Sequence, residues 1–195
     1  MIKRLFDIVS SGIVLVLLSP ILVLVAILIT VDSNGGVFYR QERIGKGGKP
    51  FNLFKFRTMR PNNDQRKITV GHRDPRVTKV GYYLRKFKID EFPQLLNILK
   101  GEMSVVGPRP EVERYVNLYN EEQKRVLTVK PGLTDYASLE YVHESEILAR
   151  AEDPEYAYIH EIMPHKLELN LKYIQDAGLV TDVKIILRTI LRILD

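Results

Sequence analysis

A chain of 195 residues, 45% of them hydrophobic, can bury one domain's core and carry an anchor besides; it is too short for two large domains. Without a single cysteine it has neither a disulfide framework nor a thiolate metal site. The net charge of +5 is unevenly spread: Arg40 to Lys88 holds 15 Lys/Arg against three acids, and Glu111 to Glu161 holds 12 acids against five Lys/Arg. The first half therefore attracts anions, which leaves nucleic acid, anionic lipid and nucleotide phosphate as partner classes.

In chain order, Ile8 to Val31 is uncharged and rich in Ile, Leu and Val. At about 1.5 Å per residue such a helix is long enough for a hydrocarbon core of roughly 30 Å. Length and the lack of a small-residue cleavage site after Val31 disfavour a secretory signal. A spanning helix, a buried core helix and a helix that enters and returns all fit the run. Ser19-Pro20 falls near its middle, where proline removes a backbone hydrogen bond and the serine hydroxyl can help satisfy the freed groups. Basic residues flank both ends (Lys3 and Arg4 before; Arg40, Arg43, Lys46 and Lys49 after), which places both ends on one side of a membrane. These two features favour a re-entrant helix broken at Ser19 and Pro20.

After a turn-rich exit over Asp32-Ser33-Asn34-Gly35-Gly36 the chain reads as short strands. In Phe54-Lys55-Phe56-Arg57 the alternation projects Lys55 and Arg57 from one face. Gly45-Lys46-Gly47-Gly48-Lys49 lacks the spacing of a phosphate-binding loop and reads as a hairpin turn. Pro61 to Asp74 is polar and predicts a loop. Val77, Val80, Leu84 and Phe87 recur at helical spacing, and Asp90-Glu91-Phe92-Pro93 opens a second helix with Leu95, Leu96, Ile98 and Leu99 on its buried face. Met103 to Val106 predicts a strand running into Gly107-Pro108-Arg109-Pro110, where prolines restrict the arginine. Glu111 to Leu127 predicts a charged helix, and Lys130 to Thr134 a loop. Asp153-Pro154 supplies an N-cap and first residue for a helix towards Met163, which Pro164 kinks or restarts. In the helix 181–194, Lys184, Arg188 and Arg192 form one basic stripe beside a broad apolar face, which suits a membrane interface; a helix packed on the core with a solvated stripe fits the same pattern.

The chemistry sits around Asp90 and Glu91. Adjacent helical side chains point about 100° apart, so the two carboxylates have separate roles. An ionised aspartate in a basic pocket can attack phosphorus, the other carboxylate can hold Mg²⁺, and arginines can grip phosphate oxygens. His72, His143, His160 and His165 show no metal-ligand spacing. Phe51, Phe54 and Phe56 alternate as core residues and form no exposed stacking row, which argues against nucleic acid.

Together, Lys3-Arg4-x-x-Asp7, Ser19-Pro20, Phe54-Lys55-Phe56-Arg57-Thr58-Met59, Leu84-Arg85, Asp90-Glu91-x-Pro93-Gln94-Leu95-x-Asn97, Val106-Gly107-Pro108-Arg109-Pro110 and Lys130-Pro131-Gly132-Leu133-Thr134 resemble the small monotopic phosphoglycosyl transferases, the bacterial sugar transferase family. The motifs cover about the first two-thirds of the chain. The resemblance implies an α/β fold, mostly α with short strands, divided into a re-entrant membrane helix (1–33) and a catalytic domain (34–195) with amphipathic interfacial helices at the cytoplasmic face of a bacterial inner membrane. It implies transfer of a phosphosugar from a UDP-sugar to polyprenyl phosphate, with Asp90 as nucleophile, UMP as leaving group, Glu91 as Mg²⁺ ligand, and Arg85 and Arg109 on phosphates. Lys55 and Arg57 would join the same substrate site, framed by Pro108 and Pro110. Oligomeric state stays open, a homodimer included. Asp135-Tyr136-Ala137-Ser138-Leu139-Glu140-Tyr141 departs from the family's tryptophan-containing run, so the loop does not indicate the sugar. An anchored anion-binding module and an interfacial nucleotide-sugar hydrolase are the competing classes.

Overall fold

The computed structural model describes residues 2–60, 74 and 76–194, with the side chains of 193 and 194 left aside. The expected loop from Pro61 lies, except for Asp74, outside the described residues. The apolar run forms α1, Ile2–Asp32, which is long and apolar enough to cross a membrane by length and composition. The helix continues through Pro20, where a helix–break–helix was expected. Pro20 has no N–H to give to the Val16 carbonyl, and the Ser19 hydroxyl donates to that same oxygen at 2.8 Å. The substitute bond lets one helix span the proline.

α1 is not a free rod. Near its start Asp7 and Ser11 are buried; further along, Val14 and Leu15 meet a cluster of Leu53, Leu95, Ile98 and Met103. Leu22, Val25 and Ile29 pack with Phe56 and Leu84, and the Asp32 carboxylate accepts the Val80 amide at 2.7 Å. One stripe along the whole helix is therefore fixed to the rest of the chain. The other face carries exposed Leu5, Val9, Val16, Leu17, Val23, Leu24 and Val31.

An antiparallel hairpin follows, β1 (Phe38–Ile44) with β2 (Pro50–Phe56), in register Tyr39↔Lys55 and Ile44↔Pro50. Its turn contains Gly47 and Gly48, both at positive φ, as a hairpin turn there requires. Helix α2, Lys79–Lys86, is capped by Thr78, whose hydroxyl accepts the Gly81 amide. Next come a single 3₁₀ turn, Ile89–Glu91, and α3, Gln94–Lys100, stopped by Gly101 in the left-handed region.

Strand β3, Ser104–Val106, pairs in parallel with β4, Gly132–Thr134. The sequence predicted a loop at β4; the partner that makes it a strand lies far back in the chain. The predicted helix over Glu111 to Leu127 is instead α4, Glu113–Val116, and a 3₁₀ segment, Gln123–Thr128. Asn120 and Gln123 exchange side-chain bonds to each other's backbone amides at 2.9 and 2.8 Å, a reciprocal cap that ends one element and starts the next.

The C-terminal half holds α5 (Tyr136–Glu140), α6 (Glu144–Arg150), α7 (Pro154–Ala157) and α8 (Met163–Asp176). Asp153 caps α7 as expected, accepting the Glu155 and Tyr156 amides at 3.0 Å. A π-turn over Tyr158–Ile162 joins α7 to α8 just before Pro164, whose missing N–H is absorbed by the wider turn. Gly178 separates α8 from α9, Leu179–Leu194. α9 packs Asp182 and Ile185 against the domain, while Val183, Leu187, Ile190 and Leu191 remain exposed.

Candidate active site

Lys88 is the described non-glycine residue with a positive φ, 56°. A left-handed residue there turns the chain sharply between α2 and the 3₁₀ turn. Asp90 is thereby aimed inward, 7% exposed, on a turn whose successive side chains diverge by about 120°. Its Oδ1 is buried without a hydrogen-bond partner. Burial, and then the adjacent Glu91 charge, push the Asp90 carboxyl above the usual aspartate range, against the pull of Lys55, Arg85 and Lys88.

Glu91 points the other way, into two cations. Arg109 Nη2 donates to Glu91 Oε1 at 2.5 Å and Nη1 to Oε2 at 3.2 Å, while Lys55 Nζ reaches Oε1 at 3.0 Å. Burial alone would raise the Glu91 carboxyl, but Arg109 and Lys55 outweigh it and hold it well below the usual range. Burial also lowers the Lys55 ammonium from its ordinary value, a tendency Glu91 opposes. The guanidinium of Arg109 is pushed above its ordinary range by Glu91.

The scaffold behind these groups is specific. Asn97 is fully buried; its Oδ1 accepts the Phe54 amide at 3.0 Å and its Nδ2 donates to the Asn52 carbonyl at 2.7 Å. This locks α3 to β2 and places Lys55, one residue on, against Glu91. Asp135, also fully buried, accepts the Arg109 backbone amide at 3.1 Å and caps α5 through the Ser138 amide at 2.6 Å. Gly107 and Gly132 let β3 and β4 meet: a Cβ on Gly132 would lie 2.1 Å from the Gly107 nitrogen. Pro108 and Pro110 are buried on either side of Arg109 and act as walls of its turn; the Pro110 carbonyl accepts from Arg43 at 3.2 Å.

Of the expected site residues, the structure brings together Asp90, Glu91, Lys55 and Arg109. Arg85 on α2 lies near enough for its charge to act on Asp90, and burial lowers its own proton affinity. Arg57 is elsewhere. Its guanidinium donates to the carbonyls of Gly36, Asn34 and Ser33 at 2.6, 2.9 and 2.8 Å, so it clamps the turn after α1. The strand ends at Phe56, and beyond it the alternation no longer decides direction. Asn97 and Asp135 are the positioning groups missed as such; a polar residue at the end of a strand and a buried N-cap aspartate were the available signals.

Mg²⁺ takes one or two carboxylates together with substrate phosphates. Glu91 would serve as such a carboxylate only as Arg109 and Lys55, which now hold its oxygens, move off. Chemically, this is a buried carboxylate beside an anchored set of cations, a place for a phosphate to meet a nucleophile.

The model of the family described as bacterial sugar transferase matches residues 1–195. The chain is 35% identical, over 98% of its length, to the UDP-glucose:undecaprenyl-phosphate glucose-1-phosphate transferase of Escherichia coli K12, of which it covers 40%. It is 36% identical to an N-acetylgalactosaminephosphotransferase of Aeromonas hydrophila named for UDP-N-acetylgalactosamine and undecaprenyl phosphate, with 99% of this chain and 44% of that protein covered. The exopolysaccharide production protein ExoY of Rhizobium meliloti is 36% identical, with 97% and 84% covered. The chain thus spans about two-fifths of the first two relatives and most of the third.

Proposed function

Since the chain belongs to the bacterial sugar transferase family, we propose that it transfers a phosphosugar from a UDP-sugar to undecaprenyl phosphate through an aspartyl intermediate. The observation that carries this reading is Asp90: a buried carboxylate with a free oxygen, ringed by Lys55, Arg85 and Lys88 and adjacent to the Glu91–Arg109 pair. An ionised Asp90 oxygen attacks the β-phosphorus; the new O–P bond forms as the bridging α–β oxygen bond breaks, and UMP leaves. An oxygen of undecaprenyl phosphate then attacks the same phosphorus and frees the carboxylate.

Arg109 and Lys55 are the diphosphate's receptors, already held at one place by Glu91. When the diphosphate takes these cations over, Glu91 is released, and Glu91 with phosphate oxygens would hold Mg²⁺, which supplies charge neutralisation when bound. Arg57 takes no part.

The ends of α1 support a disposition on one side of the membrane. Lys3, Arg4 and Asp7 at one end and Asp32 at the other are bonded to the same domain, and a helix crossing a bilayer cannot leave both ends on one globule. We read α1 as monotopic: bonded to the domain along one stripe, it lies with its exposed apolar face in the cytoplasmic leaflet, and the exposed apolar side of α9 lies at the interface.

The test is transfer of labelled sugar phosphate from UDP-glucose or UDP-N-acetylgalactosamine to undecaprenyl phosphate in vesicles. A lipid-linked product with wild type and none with Asp90→Asn supports the transferase. Labelled sugar phosphate released without lipid acceptor indicates a hydrolase, and donor binding without any product indicates an anion-binding module.

A further inference from the structure

Lys3 and Arg4 read in the sequence as charges that keep the N-terminus on one side of a membrane. In the folded chain both are engaged by protein. Lys3 Nζ donates to Asp182 Oδ2 at 2.5 Å and to the Val106 carbonyl and the Tyr173 hydroxyl at 3.1 Å each. Tyr173 in turn donates to Asp182 Oδ1 at 2.7 Å, and its hydroxyl oxygen lies 3.1 Å from Val106 O. Arg4 donates to the carbonyls of Ile98 and Leu99 at 2.5 and 3.0 Å, in the last turn of α3, where a cation also suits the helix dipole. Asp7, 2% exposed, accepts the Ser104 hydroxyl at 2.9 Å and the Val105 amide at 3.0 Å.

The partners are not scattered. Ser104, Val105 and Val106 are the whole of β3, which runs directly into Gly107-Pro108-Arg109. Ile98 and Leu99 end the helix whose beginning follows Asp90 and Glu91. Two turns of the membrane helix therefore hold the two segments that must be in register for Arg109 to face Glu91. Asp7 and the fully buried Asp182 lose hydration in doing so. An ion pair with its carboxylate buried and its ammonium half exposed adds little net stability over an apolar replacement, and the best-attested use of such a pair is to specify one arrangement.

We propose, resting on the transferase reading above, that the first two turns of α1 are a polar clasp. In it Lys3, Asp7 and Asp182 are positioning residues for Arg109, and the Lys3 charge serves this contact rather than the orientation of the helix.

Three measurements on the full-length protein in one detergent decide it: the rate of phosphosugar attachment at saturating UDP-sugar with its KM, hydrogen exchange of the 104–110 segment, and melting temperature. In membranes, an Ile2→Cys background reports orientation through a membrane-impermeant maleimide, because the chain has no other cysteine. Lys3→Met and Asp182→Asn are each expected to slow attachment tenfold or more in the folded enzyme and to speed exchange over 104–110. The double variant is expected to be no slower than the worse single, since both belong to one clasp. Residue 2 stays cytoplasmic, and Lys3→Arg retains the rate. If Lys3→Met does not fold, Asp7→Asn carries the same expectation through Ser104 and Val105.

The proposal is overturned if Lys3→Met reorients residue 2, if the two single losses multiply, or if the folded variants keep wild-type rate and exchange while only the melting temperature falls. Should the wild type attach no phosphosugar at all, the transferase reading fails separately. Exchange over 104–110 still decides the clasp in that case.

Discussion

The guanidinium of Arg109 faces Glu91, 2.5 Å from Nη2 to Oε1, and not the neighbouring Asp90, whose Oδ1 has no hydrogen-bond partner. The site thus stores its cations on one carboxylate and leaves an oxygen of the other without a hydrogen-bond partner. Two residues adjacent in sequence are put to opposite electrostatic uses by the direction in which a 3₁₀ turn aims them.

The two-pronged contact predicts that Arg109→Lys is not conservative. Lysine offers a point charge in place of a planar fork, and at such a site the exchange loses geometry as well as bonds. UMP release should fall in kcat/KM by about 10- to 100-fold, or roughly 1.4–2.7 kcal/mol of transition-state stabilisation. A change of less than twofold would remove Arg109 from the phosphate site.

Asp90 must be ionised to attack, and its carboxyl is pushed up. Attachment of the phosphosugar in single turnovers should therefore rise with pH and level off only above that raised value. The stability consequence has the opposite sign: the group favours the fold below the ordinary aspartate pKa of about 3.9, and that contribution is lost as pH rises through the raised folded value. Asp90→Asn should accordingly melt higher than wild type at pH 7, by about 2–4 °C for each kcal/mol relieved, and show no such gain at pH 3.5.

Glu91 behaves in the reverse way. Its carboxyl is held well below the usual range by Arg109 and Lys55, so its contribution is present above the ordinary glutamate pKa of about 4.3 and is lost as pH falls through the depressed value. Glu91→Gln leaves two partly buried cations without a counter-charge. It should cost about 1–3 kcal/mol at pH 7 by denaturant titration and progressively less below pH 4.

The approach of β3 to β4 predicts that Gly132→Ala is severe. The added carbon would sit 2.1 Å from the Gly107 nitrogen, backbone against backbone, so the strands must part and Arg109 with them. Loss of both melting cooperativity and UMP release is expected. Gly12→Ala, in α1 with nothing within 4 Å of the added carbon, should be neutral or stabilise slightly on the same measurements.

Local pattern disclosed most of what is local. The apolar run became α1, the glycine-rich stretch became a hairpin turn, and Asp153-Pro154 capped α7 as written. The acidic pair stood out because it lies in the basic half, and the structure puts Lys55 and Arg109 on it. What failed was what depends on residues far away. β4 is a strand only because β3, 28 residues earlier in the chain, supplies its ladder. Arg57 shares a strand face with Lys55 in the pattern, yet the carbonyls of Ser33, Asn34 and Gly36 draw it to the other end of α1. Asp135 looked like a departure from a family motif and is in fact the buried group that fixes the Arg109 backbone. At Pro20 the local rule was right about the missing bond, and the Ser19 hydroxyl supplied the replacement that keeps the helix whole.

If Asp90 carries the phosphosugar, the adduct is visible in the mass of the intact protein. Purified protein is mixed with Mg²⁺ and each of a panel of UDP-sugars without lipid acceptor, beside Asp90→Asn. The expected result is a mass increase equal to one sugar phosphate on the wild type, absent from Asp90→Asn, mapping to the peptide that contains Asp90, and discharged by undecaprenyl phosphate. An unmodified wild type that nevertheless makes lipid-linked product would contradict it, as would an adduct that persists in Asp90→Asn.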